Sequence, residues 1–187
     1  NEVSNGTQYA LIDGGNSNKI HGGASSNSST IIGGLLNRIQ ASLNSSILGG
    51  NLNVISGDYI SVVGGLSNSS KGSYSIIGGG NGNQTSGNWS VILGGVGNKT
   101  SGDYVSILGG NTNKIFGPNS TIGGGEFNLI TGVDSSILGG KNNVITGDSS
   151  TIVGGNNNRA KKDKSFVGAG SGNISEGFSS VVCGGQV

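Results

Sequence analysis

The chain has 187 residues, 40 of them glycine and only 10% charged, with one proline, one cysteine and a formal net charge of +1. That balance argues against nucleic acid as a partner, because phosphate recognition demands a dense basic stripe, and no run of about eighteen apolar residues is available to span a membrane. A lone thiol, Cys183, excludes an internal disulfide, and bulk composition alone places the chain among low-complexity disordered segments; its periodicity overrules that assignment.

Residues 1–36 read as irregular coils or a cap. Gly14-Gly15 and Gly33-Gly34 stand nineteen residues apart, and Asn37 precedes Asn53 by sixteen. No signal peptide is visible, and a start at Asn1 without methionine reads as a segment excised from something longer.

Residues 37–187 form the regular part. Asparagine recurs every fifteen residues at Asn53, Asn68, Asn83, Asn98, Asn113, Asn128, Asn143, Asn158 and Asn173. Glycine follows four residues later from Gly57 to Gly147 and again at Gly177, with Lys162 as the exception. Ile47, Val62, Ile77, Ile92, Ile107, Ile122, Ile137, Ile152, Val167 and Val182 keep the same spacing. An undisturbed short period means one unit stacked on copies of itself, because a slip of one residue breaks every ladder between neighbours. Within a unit such as Asn143 to Gly155, two stretches alternate with period two and each closes on glycine. Two strands of four or five residues with two tight turns follow, in parallel coils about 4.8 Å apart. Glycine at this density opposes helix. The expected fold is all-β, a parallel β-solenoid of the two-sheet β-roll type, with the Asn column turned inward as a hydrogen-bonded ladder.

The two sheets have different exteriors. The first carries Lys71, Lys99, Lys114, Arg159, Lys161 and Glu176 outward, as a solvated surface does. The second, from Ser46 to Cys183, carries no charge. Ten coils make that face roughly 50 Å long, too large to leave bare. Its candidate interface residues are Leu48, Val63, Ile76, Val91, Leu93, Leu108, Thr121, Leu138, Thr151, Val153, Phe166 and Val181. Glycine returns in every third coil, at Gly78, Gly123 and Gly168, beside Ile76, Thr121 and Phe166. Paired size changes suit knobs-and-holes packing against another copy in closed symmetry; the alternative occupant of the same face is ice, which asks for uniform ranks.

Tyr59, Tyr74, Trp89 and Tyr104 share one repeat position in four consecutive coils, beside Asp58, Ser73, Asn88 and Asp103. They form a candidate binding stripe for sugar rings or a partner's side chains; the competing reading is that stacked aromatics stabilise the roll. The run Arg159, Lys161, Lys162, Lys164, broken by Asp163, reads as a solvated coil edge. No catalytic, metal or cofactor site is expected. His21 and Cys183 are single of their kind with no partner at a triad or metal spacing, and Asp58, Asp103 and Asp148 follow lone glycines rather than the double-glycine turns that bind calcium in β-rolls.

Stretches such as Ser75-Ile-Ile-Gly-Gly-Gly80 and Ser106-Ile-Leu-Gly-Gly110, each followed by Asn-x-x-x-Gly, resemble the coils of the left-handed parallel β-roll head of trimeric autotransporter adhesins and related phage or viral fibre segments. That resemblance implies a homotrimer on a cell or virion surface, extracellular, binding a receptor or glycan. Asn53-Val-Ile55-Ser-Gly57 is also similar to the half-coils of grass ice-binding β-rolls, which implies an antifreeze role for the uncharged sheet.

Overall fold

A computed structural model of the chain describes residues 1–4, 7–22 and 28–186. Every regular element among them is a strand, two residues long except for Lys19–His21 and Arg38–Gln40. No helix is long and apolar enough to cross a membrane among the described residues. The chain forms two compact units, Asn1–Val96 and Gly97–Val187. Both are two-sheet parallel β-solenoids, the fold class that the repeat implies.

In the first unit, Glu2 pairs with Lys19, Lys19 with Arg38 and Arg38 with Val54; from there Val54, Ser69 and Gln84 follow at the fifteen-residue step. The second sheet runs Leu11, Thr30, Ser46, Ser61, Ile76, Val91 in the same parallel manner. The N-terminal strands thus keep the parallel register although more residues of sequence separate them. In the second unit the first sheet runs from Lys99 through Lys114, Leu129, Val144 and Arg159 to Ile174, and the second from Ser106 through Thr121, Ser136, Thr151 and Phe166 to Val181.

The strands are shorter than the expected four or five residues because each coil turns through two left-handed positions. Leu52 and Ser67 have φ of 58° and 55°, and Tyr59 and Tyr74 have φ of 57° and 58°. The extended run is broken there, and a third parallel bridge column takes up the remainder: Asn16, Leu35, Asn51, Leu66, Asn81, Val96 in one unit and Asn111 to Gln186 in the other.

The interior is one side chain deep from each sheet, aliphatic throughout the second sheet and in most coils of the first, where Ser70, Thr85, Thr100 and Ser175 take the same buried position. Ile39 and Ile55 of the first sheet and Ile31, Ile47, Val62 and Ile77 of the second are wholly buried, as are Ile115, Ile130 and Ile145 opposite Ile107, Ile122, Ile137 and Ile152 in the second unit. Beside them the Asn column closes one corner. Asn128 donates from Nδ2 to the carbonyl of Gly124 in its own coil, 3.0 Å away, and to that of Gly140 in the next, 2.9 Å away. Its backbone N–H donates to Asn113 Oδ1, and its own Oδ1 accepts from Asn143 N–H, both at 3.0 Å. A side chain added at Gly125, where φ is +91°, would put Cβ 2.0 Å from the Gly140 oxygen and 2.7 Å from Asn128 Nδ2. The asparagine amide occupies the space that the glycine leaves empty.

A serine column closes the other corner. Ser135 Oγ donates to the carbonyl of Gly147 at 3.2 Å and accepts the Ser150 N–H. Outside it, the side chain of each coil caps the coil before: Asp148 Oδ1 accepts Val133 N–H at 2.8 Å, and Asp163 Oδ1 accepts Asp148 N–H at 3.0 Å. Pro118 has no N–H to offer, and the next coil places Val133, with no acceptor, at that position.

Two substitutions test this core. Asn128→Ala strands the Gly124 carbonyl and the Asn143 N–H and takes from the Gly140 carbonyl one of its two bonds, leaving the Glu126 N–H, so it should lower stability by about 2–4 kcal/mol, while Asn156→Ala, at an exposed site, stays within about 0.5; denaturant unfolding reads both. Thr100 Oγ1 is buried with no hydrogen-bond partner. Thr100→Val removes an unsatisfied hydroxyl at nearly constant shape and should therefore raise the unfolding midpoint, by about 0.5–2 kcal/mol of stability.

Candidate functional site

The uncharged sheet is bare. In the first unit Leu48, Val63, Ile76 and Leu93 are exposed, with Val91 half-buried; in the second, Leu108, Leu138, Val153 and Val181 are exposed, with Thr121, Thr151 and Phe166 half-buried. Relative exposure of the eight exposed side chains lies between 40% and 64%, far above that of a core position. Leu52 and Leu66 of the adjoining corner extend the apolar surface of the first unit. Two earlier residues join the face. Ile32 and Asp13 occupy the same outward column as Leu48, because Asp13 N–H donates to Ile31 and Ile32 N–H to Ile47 just as Leu48 N–H donates to Val62. The column therefore begins with a carboxylate, which the fifteen-residue count does not reach because the first coils are longer.

The three-coil rhythm of glycine on this face has an internal cause. A Cβ at Gly78 would lie 2.4 Å from the carbonyl oxygen of Leu93, one at Gly123 2.4 Å from that of Leu138, and one at Gly168 2.1 Å from that of Cys183. The backbone itself excludes a side chain there, so these glycines do not by themselves signal a partner's knobs. The outward pair nevertheless changes from Ser46 and Leu48 to Ile76 and Gly78 within three coils, so the ranks are uneven.

The aromatic column lies on the serine-lined corner. Tyr59, Tyr74 and Trp89 stack with ring centroids 4.8 and 5.3 Å apart and interplanar angles of 3°. The separation matches the rise between parallel strands. All three have left-handed backbones, and so does Tyr104 in the second unit, with φ of 57°. Tyr9 belongs to the same column, two residues before Leu11 as Tyr59 is two before Ser61, and also has φ of 57°. All five Tyr and Trp residues of the chain therefore sit at one corner position. The link is visible in the sequence only when residues are aligned from the strand they precede rather than by a fixed count.

Face-to-face stacking has a chemical consequence. The facing ring faces of Tyr59, Tyr74 and Trp89 are occupied by one another. Within the stack, ring edges rather than ring faces are left to meet a ligand. The flanking polar groups are committed as well. Asp58 Oδ1 accepts Leu43 N–H at 2.8 Å, Ser73 Oγ accepts Asp58 N–H at 3.2 Å, and Asn88 Oδ1 accepts Ser73 N–H at 2.9 Å. These side chains cap backbone rather than await a ligand.

No group of three or more His, Cys, Asp and Glu is placed to hold a metal among the described residues. The chain is a two-sheet parallel β-solenoid whose second sheet carries exposed apolar side chains and, from Thr30 on, no outward charge, with an aromatic corner. A scan against protein-family models and a search of curated proteins found no match to it.

The left-handed corner makes a separable prediction. Tyr74→Asn and Tyr74→Val both remove the stack, but asparagine tolerates positive φ and a β-branched side chain does not. Tyr74→Val should therefore be less stable than Tyr74→Asn by about 1–2 kcal/mol in thermal or denaturant unfolding; equal stabilities would contradict the corner geometry.

Proposed function

We propose that this chain is a structural and adhesive segment of a fibre on a cell or virion surface, self-associating as a parallel homotrimer through the second sheet and binding a receptor multivalently. The observation that carries the reading is the outward row Leu48, Val63 and Leu93 in one unit and Leu108, Leu138 and Val153 in the other, large apolar side chains left exposed in register. Monomeric proteins rarely leave large apolar patches uncovered, and each unit presents such a row by itself. A second copy supplies the same surface, and closed rotational symmetry is the ordinary way such a patch is satisfied. Three copies in parallel repeat every corner three times. The row of Tyr59 and Tyr74 hydroxyls and the Trp89 indole then becomes a multivalent edge, where weak single contacts gain avidity.

Ice binding by the same sheet is the second reading, and the uneven outward ranks count against it. Light scattering on the purified chain separates the two. Self-association predicts a mass of about three times 18.4 kDa, and Leu93→Lys with Leu108→Lys should reduce it to a monomer with an unchanged circular dichroism spectrum. A wild-type monomer that shapes ice crystals overturns the fibre reading.

A further inference from the structure

A groove of about 410 Å³ opens on the first sheet of the second unit, lined by Val144, Thr146, Arg159 and Lys161. Val144 and Arg159 are register partners on neighbouring strands, and Thr146 and Lys161 stand two positions further along the same outward face. The groove thus lies between two parallel columns of side chains, held by a hydrogen-bonded sheet. The basic run that reads in sequence as one solvated edge is divided by the fold. Arg159 and Lys161 go to the sheet, while Lys164 takes the left-handed corner with φ of 57° and Lys162 lies 5.4 Å over the Phe178 ring.

The two cations of the groove are not equivalent. Lys161 Nζ lies 2.5 Å from Glu176 Oε1, and that hydrogen-bonded charge holds the Glu176 carboxyl below its ordinary value. Arg159 belongs to none of the ion pairs among the described residues. Its register partners on either side are Val144 and Ile174, both aliphatic. Asp148 and Asp163, the nearest acids before and after it in the chain, are occupied at the corner as acceptors for backbone N–H groups. A guanidinium outside any ion pair therefore stands at the wall of a groove, facing Val144, while Thr146 further along that side gives its hydroxyl to the Lys161 carbonyl.

We propose that this groove binds a carboxylated sugar, a uronic or sialic acid unit of a surface glycan. The planar guanidinium of Arg159 matches a carboxylate in two parallel hydrogen bonds, which an ammonium cannot do. The Val144 methyl groups receive the apolar face of the sugar ring, and Lys161 is placed to donate to ring hydroxyls. The volume falls within the range of small-ligand sites. Lys162 and Lys164 add positive potential at the adjacent corner that draws an acidic chain toward the sheet. The site is complete in one copy and does not rest on association through the second sheet.

The test is titration calorimetry of the whole chain with oligogalacturonate and with uncharged galactan oligomers, at low and physiological salt. Wild type should bind the acidic oligomer and not the neutral one. Arg159→Gln should weaken binding by about tenfold or more, and Lys164→Gln, which removes the same charge at the corner, by less than about twofold. Circular dichroism checks that both variants keep the fold. Equal losses in the two variants would reduce the effect to diffuse charge and overturn the proposal. So would an absence of binding by wild type, equal binding of the neutral oligomer, or equally tight binding of a short acidic peptide.

Discussion

One buried side-chain amide per coil ties each coil to its neighbours. In the first unit Asn53 reaches back to the Gly49 carbonyl and forward to that of Gly65, takes the N–H of Asn68 on its own oxygen, and donates its backbone N–H to Asn37. Four polar groups are satisfied by one residue that is 0% exposed, and the two glycine carbonyls among them are part-buried. Buried amides are costly unless fully bonded, so the asparagine and the glycines it holds form a single requirement. Gly50 must lack a side chain because Asn53 Nδ2 would lie 2.6 Å from its Cβ, and the Asn must recur at each coil because its oxygen is the acceptor for the next. The ladder fixes where each asparagine stands above the last and not the length of chain between them: Asn37 N–H reaches Asn18 Oδ1 across nineteen residues and Asn68 N–H reaches Asn53 Oδ1 across fifteen, both at 3.0 Å.

Inside, the first sheet's column varies between isoleucine and the smaller Ser70, Thr85, Thr100, Ala160 and Ser175; outside, several columns answer a local demand before any functional one. The polar residues beside the aromatic corner cap backbone N–H groups, and Val133 follows Pro118 because there is no N–H to cap. Gly78, Gly123 and Gly168 answer the approach of the next coil's carbonyl. What remains after these demands is a short set of surfaces with no structural duty: the exposed aliphatic row of the second sheet, the edges of the stacked aromatics, and the groove beside Arg159. Those are the surfaces on which the functional proposals rest.

The fold was legible because its two main signals, aliphatic residues every fifteen positions and asparagine in the same phase, are the buried columns themselves. Strand length was less so. Left-handed φ at Tyr59 and Leu52 cannot be inferred from residue types that rarely adopt it, and those positions cut the strands to two residues and create the third bridge column. A fixed count also hid Tyr9, Asp13 and Ile32, whose coils are longer although their strands stay in register. At the aromatic corner the residue positions were legible but their chemistry was not. Repetition shows that rings share a column, whereas the 3° angle between them, which turns ring faces toward one another, belongs to the packing.

Hydrogen exchange of the asparagine side-chain amides, followed by NMR, tests the ladder most directly. The account predicts that the Nδ2 protons of Asn53, Asn68, Asn113, Asn128 and Asn143 exchange as slowly as the backbone N–H groups of the buried isoleucine columns, because both are released only when a coil opens. Exchange of those protons at the rate of the exposed Asn156 side chain, with the isoleucine amides still protected, would show that the coils are held by their strands alone and would contradict it.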